Sequence, residues 1–248
     1  MKTCLKITAA AVLSLGVLTA RTHAFSIGDF AFTSFNSQED GWSLVTFVNI
    51  PANTNLFFTD NEATAAATFN SAESYHAWNT GGSVIPAGTV IRFSAVDNAT
   101  NLASSVGTFS RATVAGNTNY GISTSSDTIF VFDGTSAAAP TLIIGAVSSN
   151  TSSDYTPGGL TAGTNAVQLT TATLFAEYTG PRSGLSSFSD YAALVNNPAN
   201  WNIQTAGTHA SDVPNTSSFS VVPEPGTAVS LCGGLALLLG LRRRRQAV

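Results

Sequence analysis

Six runs rich in β-branched and aromatic residues, none longer than seven residues, constrain this chain more than any other feature. They are Phe30-Ala31-Phe32-Thr33-Ser34-Phe35, Trp42-Ser43-Leu44-Val45-Thr46-Phe47-Val48, Leu56-Phe57-Phe58, Val90-Ile91-Arg92-Phe93, Thr128-Ile129-Phe130-Val131-Phe132 and Thr141-Leu142-Ile143-Ile144. Each ends within two residues at Gly, Asn, Asp or Ser, so the apolar stretches are too short for helices and suit strands. Ser and Thr supply 54 of the 198 residues from Phe25 to Val222, and Lys and Met are absent there. The predicted fold class is therefore mainly β: an antiparallel β-sandwich of roughly seven to ten short strands.

Local patterns refine this. Ile91, Phe93 and Ala95 alternate with Arg92 and Ser94, which predicts a half-buried strand, whereas Trp42 to Val48 is apolar on both faces and predicts a central one. Asp133-Gly134 is expected to turn the chain after the fifth run. Ile50-Pro51-Ala52-Asn53-Thr54-Asn55-Leu56-Phe57-Phe58 echoes Ile85-Pro86-Ala87-Gly88-Thr89-Val90-Ile91-Arg92-Phe93 at five positions, each a Pro-led turn into a strand. One short helix is expected. Ser187-Phe188-Ser189-Asp190 has capping-box spacing, Tyr191, Leu194 and Val195 give an apolar face, and Asn197-Pro198 ends it. Trp201 is expected to pack back onto the sheets.

The formal net charge of −4 conceals a division. Both lysines and Arg21 lie in the first 24 residues and Arg242 to Arg245 near the end, leaving Arg92, Arg111 and Arg182 against 13 acids in Phe25 to Val222. A net charge of −10 over that stretch repels phosphate backbones, so no nucleic acid is expected as a partner. Cys4 and Cys232 also fall in the ends, so the middle can form neither a disulfide nor a thiolate metal site.

The ends read as addresses. Basic Met1 to Lys6, apolar Ile7 to Leu18 and Thr22-His23-Ala24 form a secretory signal, with cleavage by signal peptidase expected after Ala24. At the other end Pro223-Glu224-Pro225 is followed by uncharged Gly226 to Leu241 and then Arg242, Arg243, Arg244 and Arg245. Sixteen helical residues reach roughly 24 Å against a hydrocarbon core of about 30 Å, a marginal single transmembrane helix. The arginines stay on the cytoplasmic side and place the acidic middle outside the cell. The division expected is 1–24 signal peptide, 25–221 secreted β domain and 222–248 sorting tail.

In its three ordered parts this tail resembles the PEP-CTERM sorting signal of exported bacterial proteins. The resemblance implies that an exosortase-type membrane protease recognises Pro223, Glu224 and Pro225 and releases or transfers the protein, in bacteria that make exopolysaccharide. The protein would be transiently anchored in the cytoplasmic membrane and end at the cell surface or in the extracellular matrix. The segments Gly28 to Asn36, Phe58 to Glu62 and Asn197 to Trp201 also resemble a β-rich domain of secreted bacterial surface proteins, some of which carry lamin-tail-like or nuclease modules. Members often have an aromatic where this chain has Ala63. That second resemblance implies fold and exterior location, with no activity attached.

Catalytic chemistry has few resources. After signal cleavage only His76 and His209 remain, and there is no Gly-x-Ser-x-Gly elbow, Walker loop or dinucleotide fingerprint. The chain is therefore expected not to be an enzyme, and no catalytic residue or obligatory cofactor is assigned. Two binding alternatives stand beside a structural role. Asp60, Asn61 and Glu62 put three oxygen-bearing side chains in one loop, which suits calcium, although Asp and Asn also end strands for turn chemistry alone. Tyr75 and Trp78, with Tyr120, could stack on an exopolysaccharide as a carbohydrate-binding surface, although core packing competes for the same rings. Ser148-Ser149-Asn150-Thr151-Ser152-Ser153 is expected to be an exposed loop open to glycosylation.

Overall fold

The computed structural model describes residues 24–222. The expected signal segment up to His23, the sorting motif, the tail helix and the Arg cluster lie outside the described residues. Among the described residues no helix is long and apolar enough to cross a membrane. The chain is mainly β. In order it forms β1 (Phe30–Asn36), β2 (Gly41–Thr46), β3 (Asn55–Thr59), β4 (Ala63–Ala65), β5 (Thr68–Phe69), β6 (Tyr75–Asn79) and β7 (Val90–Ser94). Then follow β8 (Ala103–Ser104), β9 (Thr108–Arg111), β10 (Thr128–Ser136), β11 (Ala139–Ser148), β12 (Ala166–Gln168), β13 (Phe175–Tyr178) and β14 (Trp201–Gln204). All six apolar runs lie largely within strands. The strands beyond the expected number include β4, β5, β8 and β12, pieces of two or three residues without an apolar run to announce them.

Two six-stranded sheets have the orders β14-β13-β1-β2-β7-β8 and β12-β11-β10-β3-β6-β9, and β4-β5 forms a separate hairpin. Both large sheets contribute to one apolar core. Phe58 of one sheet meets Phe93 of the other with ring centroids 4.7 Å apart, and Trp42 and Phe109 close around them. The expectation of purely antiparallel sheets needs one correction, because β11 and β12 pair in parallel. A parallel neighbour needs a long return path. Residues 149–165 supply it, and on the way Tyr155 and Leu160 cover Phe130 and Ile143 on the outer face of the second sheet.

The sequence echo has a structural meaning. Ile50 and Ile85 exchange backbone hydrogen bonds of 2.9 and 3.0 Å, so the two Pro-led turns sit side by side. One carries the chain from β2 to β3 in the opposite sheet, and the other carries it back from β6 to β7. Both repeat the same internal bond, Thr54 Oγ1 to the Pro51 carbonyl and Thr89 Oγ1 to the Pro86 carbonyl, each 2.7 Å. Asn53 and Gly88 occupy equivalent left-handed positions, φ 58° and 86°.

Asp133-Gly134 does not turn the chain. The strand continues to Ser136, the register slips on both sides of the pair, and the hairpin closes after it. Gly134 is required instead by close approach, since a Cβ there would lie 2.6 Å from the Ala139 carbonyl oxygen. The expected helix is one turn, α1 (Ala192–Val195), entered through a 3₁₀ turn at Ser189–Tyr191. Only half of the capping box forms: Asp190 accepts from the Ser187 N–H at 3.0 Å, while the Ser187 hydroxyl pairs with Ser189. Trp201 packs back as expected, its indole N–H donating to the Val195 carbonyl at 2.7 Å.

Two of the three core tryptophans, Trp78 and Trp42, differ in one respect. Trp78 donates its indole N–H to the Val106 carbonyl at 2.7 Å, whereas the buried Nε1 of Trp42 has no acceptor among the described residues. Trp78→Phe strands a carbonyl, and Trp42→Phe removes an unpaired donor. Thermal melts should show the larger loss for Trp78→Phe, and equal losses would contradict this distinction.

Candidate functional site

Three neighbouring strands bring acids together at one end of the second sheet. Asp60 follows the last residue of β3, Glu73 precedes β6 by two residues, and Asp127 precedes β10 by one. Because β3 is antiparallel to both neighbours, these positions fall at the same edge. One carboxylate oxygen from each lies within 4.8 Å of the others.

The donors around the cluster are unevenly shared. Asp60 is 4 % exposed, and its Oδ1 accepts from the Ser74 N–H and hydroxyl at 2.7 and 2.8 Å. Asp127 accepts from the Ser123 and Thr128 N–H groups, both at 2.7 Å. Glu73 Oε2 is buried and has no hydrogen-bond partner among the described residues. Burial pushes Asp60 up to about 6 against its Ser74 bonds. Burial, followed by the negative charge of Asp60, pushes Glu73 and Asp127 up to about 8. The cluster thus holds protons well above the usual carboxylate range.

The calcium loop expected at Asp60, Asn61 and Glu62 is not assembled as such. Asn61 Nδ2 donates to the Thr59 hydroxyl and the Ser74 carbonyl, its Oδ1 accepts from the Glu73 N–H, and Glu62 pairs with Asn70. Asp60 alone of the three joins the carboxylate cluster. Among the described residues, Asp60, Glu73 and Asp127 are grouped closely enough to hold a divalent cation. Their three grouped oxygens are half or fewer of the six to eight that calcium takes.

Each cluster carboxyl binds its proton more tightly in the folded than in the unfolded chain. Its stabilisation is complete below the unfolded value and is lost as pH rises through about 6 for Asp60 and about 8 for Glu73 and Asp127. His76 acts in the opposite sense: burial pulls it down to about 4, so its contribution is lost only as pH falls from about 6.5 towards 4. Between about pH 6.5 and 8.5 the carboxyls dominate. In chelator the thermal midpoint should fall across that window, and Asp127→Asn should flatten the fall. An unchanged slope in the variant would contradict the cluster's protonation.

The expected glycan platform requires correction. Trp78 is fully buried and Tyr75 is 5 % exposed, packed against Phe132, so neither presents a ring face to a pyranose. Strand alternation at Tyr75-His76-Ala77-Trp78 could not reveal this, because the outer face of β6 is also covered, by Phe69, Ala112 and Val114. Tyr120 lies under the Arg111 guanidinium at 4.1 Å. The Ser148 to Ser153 loop is likewise only partly open. Ser148 and Ser149 are buried and accept from the Thr128 hydroxyl and the Asp127 N–H, leaving Thr151, Ser152 and Ser153 exposed.

Among the described residues the two histidines have these surroundings. His76 is stacked on Phe109 at 5.1 Å with Nε2 on the Val96 carbonyl. His209 lies beside an open groove of about 520 Å³ that also exposes Ser211 and Asp212. Its Nδ1 faces Asp212 at 2.7 Å and its Nε2 faces the Ala206 carbonyl at 2.9 Å, so no ring nitrogen is directed to a serine. Comparison with known protein families, curated proteins and solved structures finds no match.

Proposed function

We propose that this chain is an exported, non-enzymatic envelope or exopolysaccharide-matrix protein. Its β-sandwich body is delivered outside the cell, and its tail is cut at or near Pro223-Glu224-Pro225. The observation that carries this reading is the ordered tail: Pro-Glu-Pro, an uncharged stretch and four arginines directly after an acidic body. The arginines and the signal segment give the same orientation. Partners are signal peptidase, an exosortase-type membrane protease, the membrane before processing, and the surrounding polysaccharide.

The body supports a structural role. Its three arginines are internally engaged: Arg92 pairs with Glu39, Arg111 reaches the Asp97 carbonyl, and Arg182 binds the Ser217 and Asn215 carbonyls. That leaves a body rich in Ser, Thr and Asn and short of free cations, a composition that suits a hydrated matrix. With Tyr75 and Trp78 inside, the carbohydrate-binding alternative loses the two rings proposed for stacking.

Replacing Pro223, Glu224 and Pro225 together by Ala in the native host should leave an uncut chain in the membrane fraction. Normal release of that variant would overturn the sorting assignment. Turnover of a polysaccharide or ester by the purified body, abolished by one acidic substitution, would overturn the non-enzymatic one.

A further inference from the structure

Residues 205–222 carry little regular structure, and their Ser/Thr-rich sequence resembles a linker. They are instead fastened to the body along their length. Near their start, Asn36 Nδ2 donates to the His209 carbonyl at 2.9 Å, and the His209 ring stacks on Phe175. Farther on, Asn215 N–H donates to Glu177 at 3.0 Å, and Arg182 donates to the Asn215 and Ser217 carbonyls at 3.1 and 2.8 Å. Phe219 is 4 % exposed, between Tyr178 and Tyr191, with the Arg182 guanidinium 5.0 Å from its ring centre.

The fastening continues to the last described residue. Phe219 N–H donates to the Gly88 carbonyl at 2.7 Å, Ser220 N–H to Arg182 at 2.8 Å, and Val222 N–H to Leu185 at 2.9 Å. The Tyr191 hydroxyl donates to the Ser220 carbonyl at 2.7 Å, and Val221 bridges Leu185. Gly88 is fitted to this crossing, because a Cβ there would collide with the Phe219 carbonyl oxygen and the Phe188 ring. One of only three cations in Phe25 to Val222 is spent on this contact.

Pro223 is the next residue in the chain. A protease that binds its substrate as an extended strand needs main-chain hydrogen bonds on both sides of the bond it cuts. For a cut between Pro223 and Gly226, the residues on the upstream side are those the body already holds. Resting on the sorting reading above, we propose that the docked strap 219–222 gates tail processing: it must peel from the Gly88, Leu185 and Tyr191 surface before the sorting protease can engage Pro223-Glu224-Pro225. Cleavage of a locally opened segment follows the open population when opening is fast. Anything that loosens Phe219 therefore speeds processing, and anything that pins the strap slows it.

The test uses the full chain in a host with the native sorting protease, following cleavage by pulse-chase and identifying the cut by mass. Phe219→Ala and Arg182→Ala should be cut faster, about tenfold for Phe219→Ala. A Leu185→Cys/Val221→Cys pair in a Cys232→Ser background should be cut slowly until reductant restores the wild-type rate. The cysteine pair carries the test even if Phe219→Ala fails to fold. Equal rates in all these chains, or slower cutting of a folded Phe219→Ala protein, would overturn the gate while leaving the sorting reading intact. No cut near Pro223 to Gly226 in any chain, wild type included, would overturn both.

Discussion

Trp78→Ala is expected to lower stability by about 3 to 5 kcal/mol, and in a body of this size that is a fall of roughly 6 to 20 °C in the thermal midpoint. Three losses combine. The side chain is fully buried, its ring meets Phe93 edge-on at 5.3 Å, and its N–H satisfies the Val106 carbonyl. Removing it opens a cavity between the sheets and strands a buried carbonyl. A stacking residue on a sugar platform would behave differently: its loss would abolish polysaccharide retention and barely move the midpoint. A folded Trp78→Ala protein with an unchanged midpoint would contradict the placement of this indole in the core.

That distinction marks how far the sequence reached. The six apolar runs located the major strands because a short run of β-branched and aromatic residues has few other ways to be buried. Ile91 and Phe93 pointed inward as their alternation required. Alternation could not tell Trp78 from a surface ring, because a strand covered on both faces places polar and apolar residues alike inside; His76, between Tyr75 and Trp78 in chain order, is 1 % exposed. The parallel pairing of β12 was also hidden, since three residues, Ala166-Val167-Gln168, carry no signal of direction.

The candidate site was half legible. Asp60 was visible as an oxygen ligand after a strand, but its partners Glu73 and Asp127 stand 13 and 67 positions away in the chain. Only the antiparallel register of β10, β3 and β6 joins them. Asn61 and Glu62, adjacent to Asp60 in sequence, are turned to Thr59, Ser74 and Asn70 instead. The strap was missed for a related reason. Its serines and threonines look solvent-exposed, and a single Phe219 gives no period, so its docking depends on Gly88, Arg182 and Tyr191 from three distant segments.

The second large effect concerns the ends. If the tail is a sorting signal, processing removes both addresses and leaves a body with 13 acids against 3 bases, the most acidic portion of the chain. Ala24 is exposed, and the Phe25 and Phe30 rings pack with centroids 5.4 Å apart. At the other end the bonded strap runs to Val222, one residue before the motif. On that reading, failure of the second cut would retain uncharged Gly226 to Leu241 and the four arginines, and the chain would be recovered in the membrane fraction.

Intact-mass measurement of the mature protein from its native host tests this most directly. The expected polypeptide starts at Phe25 and ends between Pro223 and Gly226, with any added mass in sugar units from modified hydroxyls such as Thr151, Ser152 and Ser153. Recovery only of chains that still carry Arg242 to Arg245 would contradict it.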